Sequence, residues 1–327
     1  MGQPGIAPFG TTLDGRHVQK IILQDSGLCV SVLTWGAVVQ SVRLDGVAHD
    51  LTLGSPRLRD YEGAMRHHGS LIGPVVNRIT GAKAQICGRE FAFEANQDGR
   101  ITLHAGDAGT HLKIWRLAEL SETSATLTLD LPDGDGGFPG NRRISARYTI
   151  SAPATLRLDI TASTDAPTLI NFANHSYWNL DGTTEWSGHR LMILADRYLP
   201  TTPDFTPQGR VAPVSESDMD FRSEREITVG QHAFDTNFCL ADARRPLTEA
   251  LRLTGASGVS MTVATTEPGI QVYDGRNAIR PGRAAYEGLA VEAQFWPDAP
   301  NNPDYPDILV MPDTHWQQST EWRFKAP

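Results

Sequence analysis

Residues 168–181 read TLINFANHSYWNLD, and this stretch decides how the rest of the chain is interpreted. It alternates as a β-strand does, with Ile170 and Phe172 on one side and Asn171, Ala173 and His175 on the other. The first side suits a hydrophobic core. Amide and imidazole groups suit the hydroxyls of a sugar, and an aromatic ring suits its C–H face. The second side therefore indicates a strand end that faces a ligand. It ends in His175, which is surrounded in the sequence by Asn171, Asn174, Ser176, Tyr177 and Trp178.

The rest of the chain consists of short runs rich in Val, Ile, Leu and Thr, which 30 glycines and 21 prolines separate. Such spacing is typical of an all-β sandwich or barrel, and we expect helix in under a fifth of the residues. No change in composition divides the chain, so residues 1–327 are interpreted as one domain. The clearest strand predictions are 20–23, 28–33, 38–44, 84–86, 125–129, 145–151, 155–160, 191–194, 259–264 and 290–295, and short helices are predicted at 56–62 and 215–220.

Composition narrows the classes of partner. A formal net charge of −9 disfavours nucleic acid and anionic lipid, because both require clustered Lys and Arg. Neither a signal peptide in the first ten residues nor an apolar run of about 20 residues is present. Three widely separated cysteines, Cys29, Cys87 and Cys239, indicate reduced, buried thiols. We therefore expect a cytoplasmic protein, monomer or homodimer, with no membrane association and a small-molecule substrate.

Two motifs resemble metal sites but favour simpler interpretations. Residues 133–140, DGDGGFPG, lack the oxygen ligands and terminal Glu of an EF-hand loop, so they are predicted to form a turn between strands. His67 and His68 are adjacent but have no Cys, His or carboxylate companions at ligand spacing. We expect no metal and no cofactor.

Several polar residues lie at the ends or on the faces of predicted strands, and each is weak evidence by itself. Asn77 and Arg78 precede Gly81, and His104 lies close to Gly106. A single Arg at a strand end is usually a surface residue, and a single His is usually structural. Asp235 between aromatic residues and Gln271 on a strand face are equally open to a structural interpretation.

For Glu292 the sequence leaves two alternatives, a functional residue or a solvated one. It shares one face of its strand with Ala290 and Gln294, and a Glu in the middle of a strand is intrinsically disfavoured. If that face is covered, Glu292 is a candidate for function, whereas on an open face it is merely solvated. Alternation alone does not decide between the two.

Taken together, these stretches resemble the aldose 1-epimerase (galactose mutarotase) family, in the family's own order and over nearly the whole chain. The matching pieces are Trp35-Gly36-Ala37, Asn77-Arg78-Ile79 with Gly81, Leu103-His104 with Gly106 and Trp115, Phe138-Pro139-Gly140, residues 174–180, Asp235 with Phe238, Glu267-Pro268-Gly269, Gln271-Val272-Tyr273, Glu292 with Gln294, and Pro297-Asp298-Ala299.

This resemblance implies a large antiparallel β-sandwich of the galactose mutarotase type, which interconverts the α and β anomers of free sugars. It implies Glu292 as the general base and His175 as the general acid. The implied substrate-binding residues are Asn77, Arg78, His104, Tyr177, Asp235 and Gln271. The chain departs from the family at Gly73-Pro74, where Gly-Arg is usual, and Pro74 brings neither a charge nor a backbone donor. The substrate preference is therefore expected to differ.

The implied chemistry suits these residue types. Opening an aldose ring requires removal of a proton from the C1 hydroxyl and delivery of one to the ring oxygen, and a carboxylate and an imidazolium can perform these steps. One rival is a hexose-6-phosphate 1-epimerase, which needs added basic residues at the rim, with Arg100 and Arg276 as candidates. Another is a carbohydrate-binding protein that has lost catalysis, against which the retention of Glu292 and His175 argues.

Overall fold

Strands dominate the computed structural model, which describes residues 5–327. They contain 44% of the residues, against 6% in helix. The predictions of an all-β chain and of helix in under a fifth of the residues are confirmed. The first four residues of the N-terminal segment considered above lie outside the described part.

The bounds of the elements follow the apolar runs closely. All ten clearest strand predictions coincide with strands, and the run at 28–33 has the same limits as the observed strand. One α-helix, α1 (Leu58–Tyr61), lies within the helix predicted at 56–62, and the segment predicted at 215–220 forms only a 3-10 turn at Val214–Glu216. Other 3-10 turns are Gly106–Ala108, Thr110–Leu112, Asp135–Gly137 and Ala299–Asn301. The strands are β1 (Gly5–Thr11), β2 (His17–Asp25), β3 (Leu28–Leu33), β4 (Val39–Leu44), β5 (Leu71–Ile72), β6 (Arg78–Thr80), β7 (Lys83–Ile86), β8 (Arg89–Ala92), β9 (Ile101–Leu103), β10 (Arg116–Leu120), β11 (Ser124–Leu131), β12 (Arg142–Ser151), β13 (Thr155–Thr164), β14 (Thr168–Leu169), β15 (Ala173–Asn174), β16 (Tyr177–Trp178), β17 (Arg190–Ile193), β18 (Arg197–Tyr198), β19 (Ala212–Pro213), β20 (Arg225–Glu226), β21 (Asp235–Cys239), β22 (Thr248–Thr254), β23 (Ser260–Thr265), β24 (Gly269–Tyr273), β25 (Leu289–Gln294), β26 (Leu309–Val310) and β27 (Trp316–Lys325).

Three sheets make up most of the architecture. A nine-stranded sheet has the order β10-β11-β12-β13-β27-β23-β22-β17-β20, a six-stranded sheet has the order β16-β25-β24-β21-β18-β19, and β1 to β4 form a four-stranded meander. Neighbouring strands in these sheets are antiparallel. The turn predicted at 133–140 lies between β11 and β12.

The main hydrophobic core takes side chains from all three sheets, because each sheet presents one apolar face inward. Trp178 of β16 packs against Trp322 of β27, with 6.2 Å between ring centroids, and so joins the six-stranded sheet to the nine-stranded one. The hydroxyl of Tyr148 on β12 donates to the carbonyl of Ala37, beside β4, over 2.7 Å. The first contact joins the six-stranded sheet, which carries Tyr177, Asp235, Gln271 and Glu292, to the nine-stranded sheet, and the second joins the nine-stranded sheet to the meander.

The expected single strand at 168–181 is wrong. The segment forms three two-residue strands, β14, β15 and β16, which pair with β26, β5 and β25. The Asn174 side chain accepts a hydrogen bond from the Ser176 backbone and donates one to the Gly69 carbonyl, which diverts the chain between β15 and β16. The predicted core side is nevertheless present, since Ile170 and Phe172 are both buried in the main core.

The cysteines and the lengths of the helices can be compared with the expectations from composition. Cys29 and Cys239 are buried, whereas Cys87 is exposed, so the expectation of buried thiols is wrong for Cys87, which occupies the turn between β7 and β8. In the described part of the chain, no helix has the length and apolar character needed to cross a membrane.

Candidate active site

A cavity of about 540 Å³ opens beside the six-stranded sheet and has the dimensions of a small-ligand site. Seven of the eight residues predicted for the site line it: Asn77, Arg78, His104, His175, Tyr177, Asp235 and Glu292. Gln271 does not line the cavity, and it contacts the site through Asp235 instead. Residues more than 200 positions apart in the sequence thus converge on one space.

Strand register places the sheet residues of the site. Gln271 on β24 lies directly opposite Glu292 on β25, and Asp235 on β21 lies opposite Tyr273 on β24. Alternation sends the intervening Val272 and Val291 into the main core. Glu292 is only 2% exposed, so the face that it shares with Ala290 is covered. The condition under which the sequence makes Glu292 a candidate for function, a covered face, is therefore met.

Glu292 and His175 form a buried pair at the base of the cavity. His175 Nε2 lies 3.4 Å from Glu292 Oε1, and the two residues are 4% and 2% exposed. Neither Glu292 Oε2 nor His175 Nδ1 has a hydrogen-bond partner within residues 5–327. A buried acid–base pair with unused hydrogen-bonding capacity is an arrangement suited to a reacting substrate.

Burial opposes charge on both members of the pair. It lowers the pKa of His175 to about 4 and raises the pKa of Glu292 well above its usual range, with the nearby Asp235 carboxylate adding to the rise. The attraction of an ion pair acts in the opposite direction, but the desolvation cost of two buried charges is larger here. The two shifts together favour a pair that holds one proton, preferentially on Glu292.

The second polar group centres on Asp235. Arg78 Nη2 lies 3.3 Å from Asp235 Oδ2, and Gln271 Nε2 donates to Asp235 Oδ1 over 2.6 Å. The Arg78 Nε donates to Gln97 Oε1 over 3.0 Å, which fixes the plane of the guanidinium. Burial raises the pKa of Asp235, although Arg78 and Gln271 partly oppose that shift. The result is an array of mutually hydrogen-bonded donors and acceptors in the same cavity as the acid–base pair.

The protonation of His104 follows from its neighbours. The backbone N–H of Asn77 donates to His104 Nδ1 over 3.1 Å, and burial lowers the pKa of the imidazole well below its usual range. A neutral His104 whose Nδ1 accepts carries its proton on Nε2. Both Asn77 and His104 have positive φ, 65° and 55°, so this close pairing is maintained by an uncommon backbone conformation.

The aromatic residues of the stretch at 168–181 separate in the structure. Tyr177 lines the cavity, and its ring centroid lies 5.1 Å from that of His175. Trp178, which the sequence places among the polar and aromatic neighbours of His175, is buried in the main core with Ile170 and Phe172. It follows Tyr177 directly, and successive residues of a strand point to opposite faces.

Pro74 occupies a supporting position. It is buried and does not line the cavity. Its carbonyl accepts a hydrogen bond from the Asn171 backbone over 2.7 Å. It therefore belongs to the connection that carries Asn77 and Arg78.

Sequence reasoning missed a group of histidines around the pair. His67 and His68 line the cavity, and His111 contacts His67 from the turn at Thr110–Leu112. It also missed Phe205, whose ring is approached by the guanidinium groups of Arg78 and Arg276 at 5.5 Å each. The only sign of this group in the sequence was the adjacent pair His67-His68. Their proximity to His104 and His175 depends on the folded chain.

The histidines do not form a ready metal site. Within residues 5–327, no group of three or more His, Cys, Asp or Glu side chains is arranged to hold a metal ion. The His67 ring contacts those of His104, His111 and His175 at 4.8–5.7 Å between centroids, and these contacts are between rings rather than through a shared metal position.

Comparisons with known proteins point to one family over nearly the full length of this chain. The model of a family described as aldose 1-epimerase matches residues 19–323. The galactose mutarotase of Rattus norvegicus is 31% identical over 329 residues, covering 95% of each chain. The aldose 1-epimerase of Escherichia coli K12 is 29% identical, covering 99% of this chain and 98% of its own.

Solved structures agree with the sequence relatives. The GalM/aldose epimerase homologue of C. elegans superposes with a TM-score of 0.87 at 25% identity, covering 94% of this chain and 98% of its own. The galactose 1-epimerase of Lactobacillus acidophilus NCFM superposes with a TM-score of 0.86 at 25% identity, covering 99% of both chains.

Proposed function

The chain belongs to the aldose 1-epimerase family and is an isomerase that interconverts aldose anomers, and on this premise we propose that Glu292 and His175 are its acid–base pair. The observation that carries the proposal is their contact at 3.4 Å at the base of a cavity of sugar size. We further propose that the substrates are free aldoses of the galactose or glucose type.

The reaction needs two proton transfers that balance. Glu292 takes the proton of the C1 hydroxyl while His175 gives a proton to the ring oxygen, so the C1–O5 bond breaks and an open-chain aldehyde forms. Rotation about C1–C2 then presents the other face of the carbonyl. Attack of the O5 hydroxyl on that face, with both proton transfers reversed, closes the ring as the other anomer.

The single proton shared by Glu292 and His175 is the one that this cycle uses. The form with the proton on Glu292 and the form with the proton on His175 contain the same number of protons, so their ratio does not depend on pH. A bound sugar supplies hydrogen bonds to both residues and replaces part of the lost solvation. We therefore place the reactive form, ionised Glu292 with protonated His175, in the complex with substrate.

The remaining residues hold the sugar. Asp235 and Arg78 bind hydroxyls remote from C1, and Gln271 positions Asp235 through its hydrogen bond. His104, with its proton on Nε2, donates to the oxygen that gains charge as the ring opens. Tyr177 provides an aromatic wall beside His175.

The hexose-6-phosphate alternative finds little support at the residues considered for it. Arg276 is bound to Asp274 through Nε and Nη2, and Arg100 pairs with Asp204 outside the cavity lining. Arg66 at the cavity rim is exposed and has no ion-pair partner within residues 5–327, but one arginine is a weak phosphate site.

A polarimetric or coupled assay that separates α-glucose from β-glucose tests the proposal. The wild type is expected to accelerate anomerisation of free glucose and galactose far more than that of glucose 6-phosphate. Glu292→Gln preserves shape and hydrogen bonding and should lower turnover by at least roughly 10²-fold. Near-normal turnover in this variant would transfer the role of base to another carboxylate, with Asp235 next in line.

We also propose a cytoplasmic location and a monomeric or homodimeric state. The exposed thiol of Cys87 supports a reducing compartment, because exposed thiols are readily oxidised elsewhere. Sedimentation velocity on the purified chain decides between monomer and homodimer, and a larger assembly would contradict both.

A further inference from the structure

In the described part of the chain, a cluster of histidines lies around the cavity and has no role in the proposed proton transfers. It consists of His67, His68 and His111, which surround the site histidines His104 and His175. Four of these imidazoles are in ring contact with one another and the fifth, His68, contacts Tyr177, which is more than a two-residue proton transfer requires. His67 is the central member, and its ring touches three of the others.

The geometry of His67 places it at the reacting end. Its ring lies 5.7 Å from that of His175 in a stacked arrangement with 26° between planes, and 4.8 Å from that of His104. It is half-buried and lines the cavity. Neither ring nitrogen of His67 makes a hydrogen bond within residues 5–327, whereas Nδ1 of His104 accepts one from the Asn77 backbone.

The backbone holds His67 in this position. Gly69 N donates to the His175 carbonyl over 3.0 Å, and His175 N donates to the Ser70 carbonyl over 2.9 Å. Asn174 Nδ2 donates to the Gly69 carbonyl over 2.8 Å. The turn that carries His67 is therefore bonded directly to the residues around the general acid, and the two rings keep a fixed relation.

The surroundings keep the His67 ring neutral. Burial, His111 and His175, and the neighbouring Arg66 all lower the pKa of its imidazole well below the usual range. A neutral imidazole has one N–H donor and one acceptor nitrogen. This combination matches a hydroxyl group, which also donates and accepts, better than it matches an anion or a cation.

We propose that His67 is a substrate-contacting residue that binds a sugar hydroxyl flanking the reacting C1–O5 edge, either on C2 or on C6. The inference rests on the proposed function, because His175 at the ring oxygen is what places His67 beside that edge. C2 adjoins C1, and C5, which carries C6, adjoins O5. Asp235 and Arg78 serve the remote side, so His67 contributes specificity at the end where the chemistry occurs.

The test compares His67→Phe with the wild type on three substrates: glucose, its 2-deoxy analogue and its 6-deoxy analogue. Phenylalanine keeps the ring stacked on His175 but removes both nitrogens. We expect kcat/KM for glucose to fall roughly tenfold, the usual worth of one hydrogen bond left unmade in a site. The loss should disappear for the one analogue that lacks the bound hydroxyl.

His67→Gln is the second variant, because glutamine keeps a donor and an acceptor without the ring. It should recover part of the loss on glucose. His17→Phe is the matched control, since His17 is exposed on β2 and bonds only to Thr11. It should leave all three substrates unchanged.

The outcomes distinguish a failure of the His67 proposal from a failure of the proposed function. Equal losses on glucose and on both analogues, or no loss at all, would assign His67 to packing and overturn the inference while the acid–base proposal stands. A wild type that fails to accelerate anomerisation of any of the sugars would overturn the proposed function and this inference together.

Discussion

At the scale of single residues, the site is governed by the competition between burial and pairing. Free Glu and His titrate near 4.3 and 6.5, so unperturbed groups would place an ionised Glu beside an imidazolium over a narrow range of pH. Burial reverses the order of the two pKa values at Glu292 and His175. The pair then retains one proton between the lowered pKa of His175 and the raised pKa of Glu292.

The pH profile should show this reversal. Since the pair is active only with one proton, kcat/KM should rise as the doubly protonated form disappears, near the lowered pKa of about 4. It should fall as the last proton leaves, at the raised pKa of Glu292. Free-group values would instead assign the alkaline limb to His175. Glu292→Gln should therefore remove the alkaline limb, and a limb that persists in this variant would contradict the reversal.

Asp235 should behave as a binding residue. Asp235→Asn keeps the size of the side chain but weakens the contacts to Arg78 and to sugar hydroxyls, so KM should rise roughly tenfold or more with a smaller change in kcat. Initial rates over a range of galactose concentrations measure both constants. Asp130→Asn, at an exposed pair with Arg143, serves as the control and should leave both constants unchanged. A lower kcat at constant KM would argue for a direct role in proton transfer.

At the scale of elements, connections between strands matter as much as the strands. The link from β5 to β6 begins at Gly73 and ends at Asn77, and Arg78 is the first residue of β6. A Cβ atom at Gly73 would lie 2.0 Å from Cε1 of Phe172, which is fully buried and packs against Trp316. Only a residue without a side chain allows the two segments to approach this closely.

Gly73→Ala should therefore destabilise the fold by about 1–3 kcal/mol, the usual cost of overpacking a core. The midpoint of urea unfolding reports this change. At Gly63, the nearest non-neighbouring atom to an added Cβ is 3.4 Å away, so Gly63→Ala should change stability by less than about 0.5 kcal/mol. Equal stability of the two variants would show that Phe172 can move aside.

The elements also show what sequence reasoning can reach. The apolar runs predicted strands such as β3 correctly, because a sheet with one buried face imposes its period on the sequence. The stretch at 168–181 keeps that period but is divided by hydrogen bonds from the Asn174 side chain, which alternation does not reveal. His67 and His111 lie in turns without periodicity, so nothing in their local pattern indicates that they meet His175.

At the scale of the whole molecule, one core unites three sheets, with contacts such as that of Trp178 with Trp322 between them. We therefore expect residues 1–327 to unfold as a single domain. Thermal unfolding followed by circular dichroism and by tryptophan fluorescence should give coincident transitions. Two separated transitions would show that part of the sandwich is stable without the rest.

Activity should also be independent of added metal. The proposed steps move protons between a carboxylate, an imidazole and the sugar, and no step is assigned to a cation. Mutarotation should survive exhaustive treatment with a chelator, followed by assay in chelator-treated buffer. Loss of activity that one divalent ion restores would contradict the proposed chemistry. Glu292→Gln under the same treatment provides the inactive baseline.

The register shared by β21, β24 and β25 limits how this protein can change its length during evolution. Asp235 and Glu292 line the cavity, and Gln271 reaches Asp235, only because the three strands pair in this register. A single residue inserted inside β24 would turn Gln271 toward the core and Val272 toward the sugar. Insertions and deletions in related chains should therefore fall in the loops beyond these strands, and new substrate preferences should arise there without disturbing the proton-transfer pair.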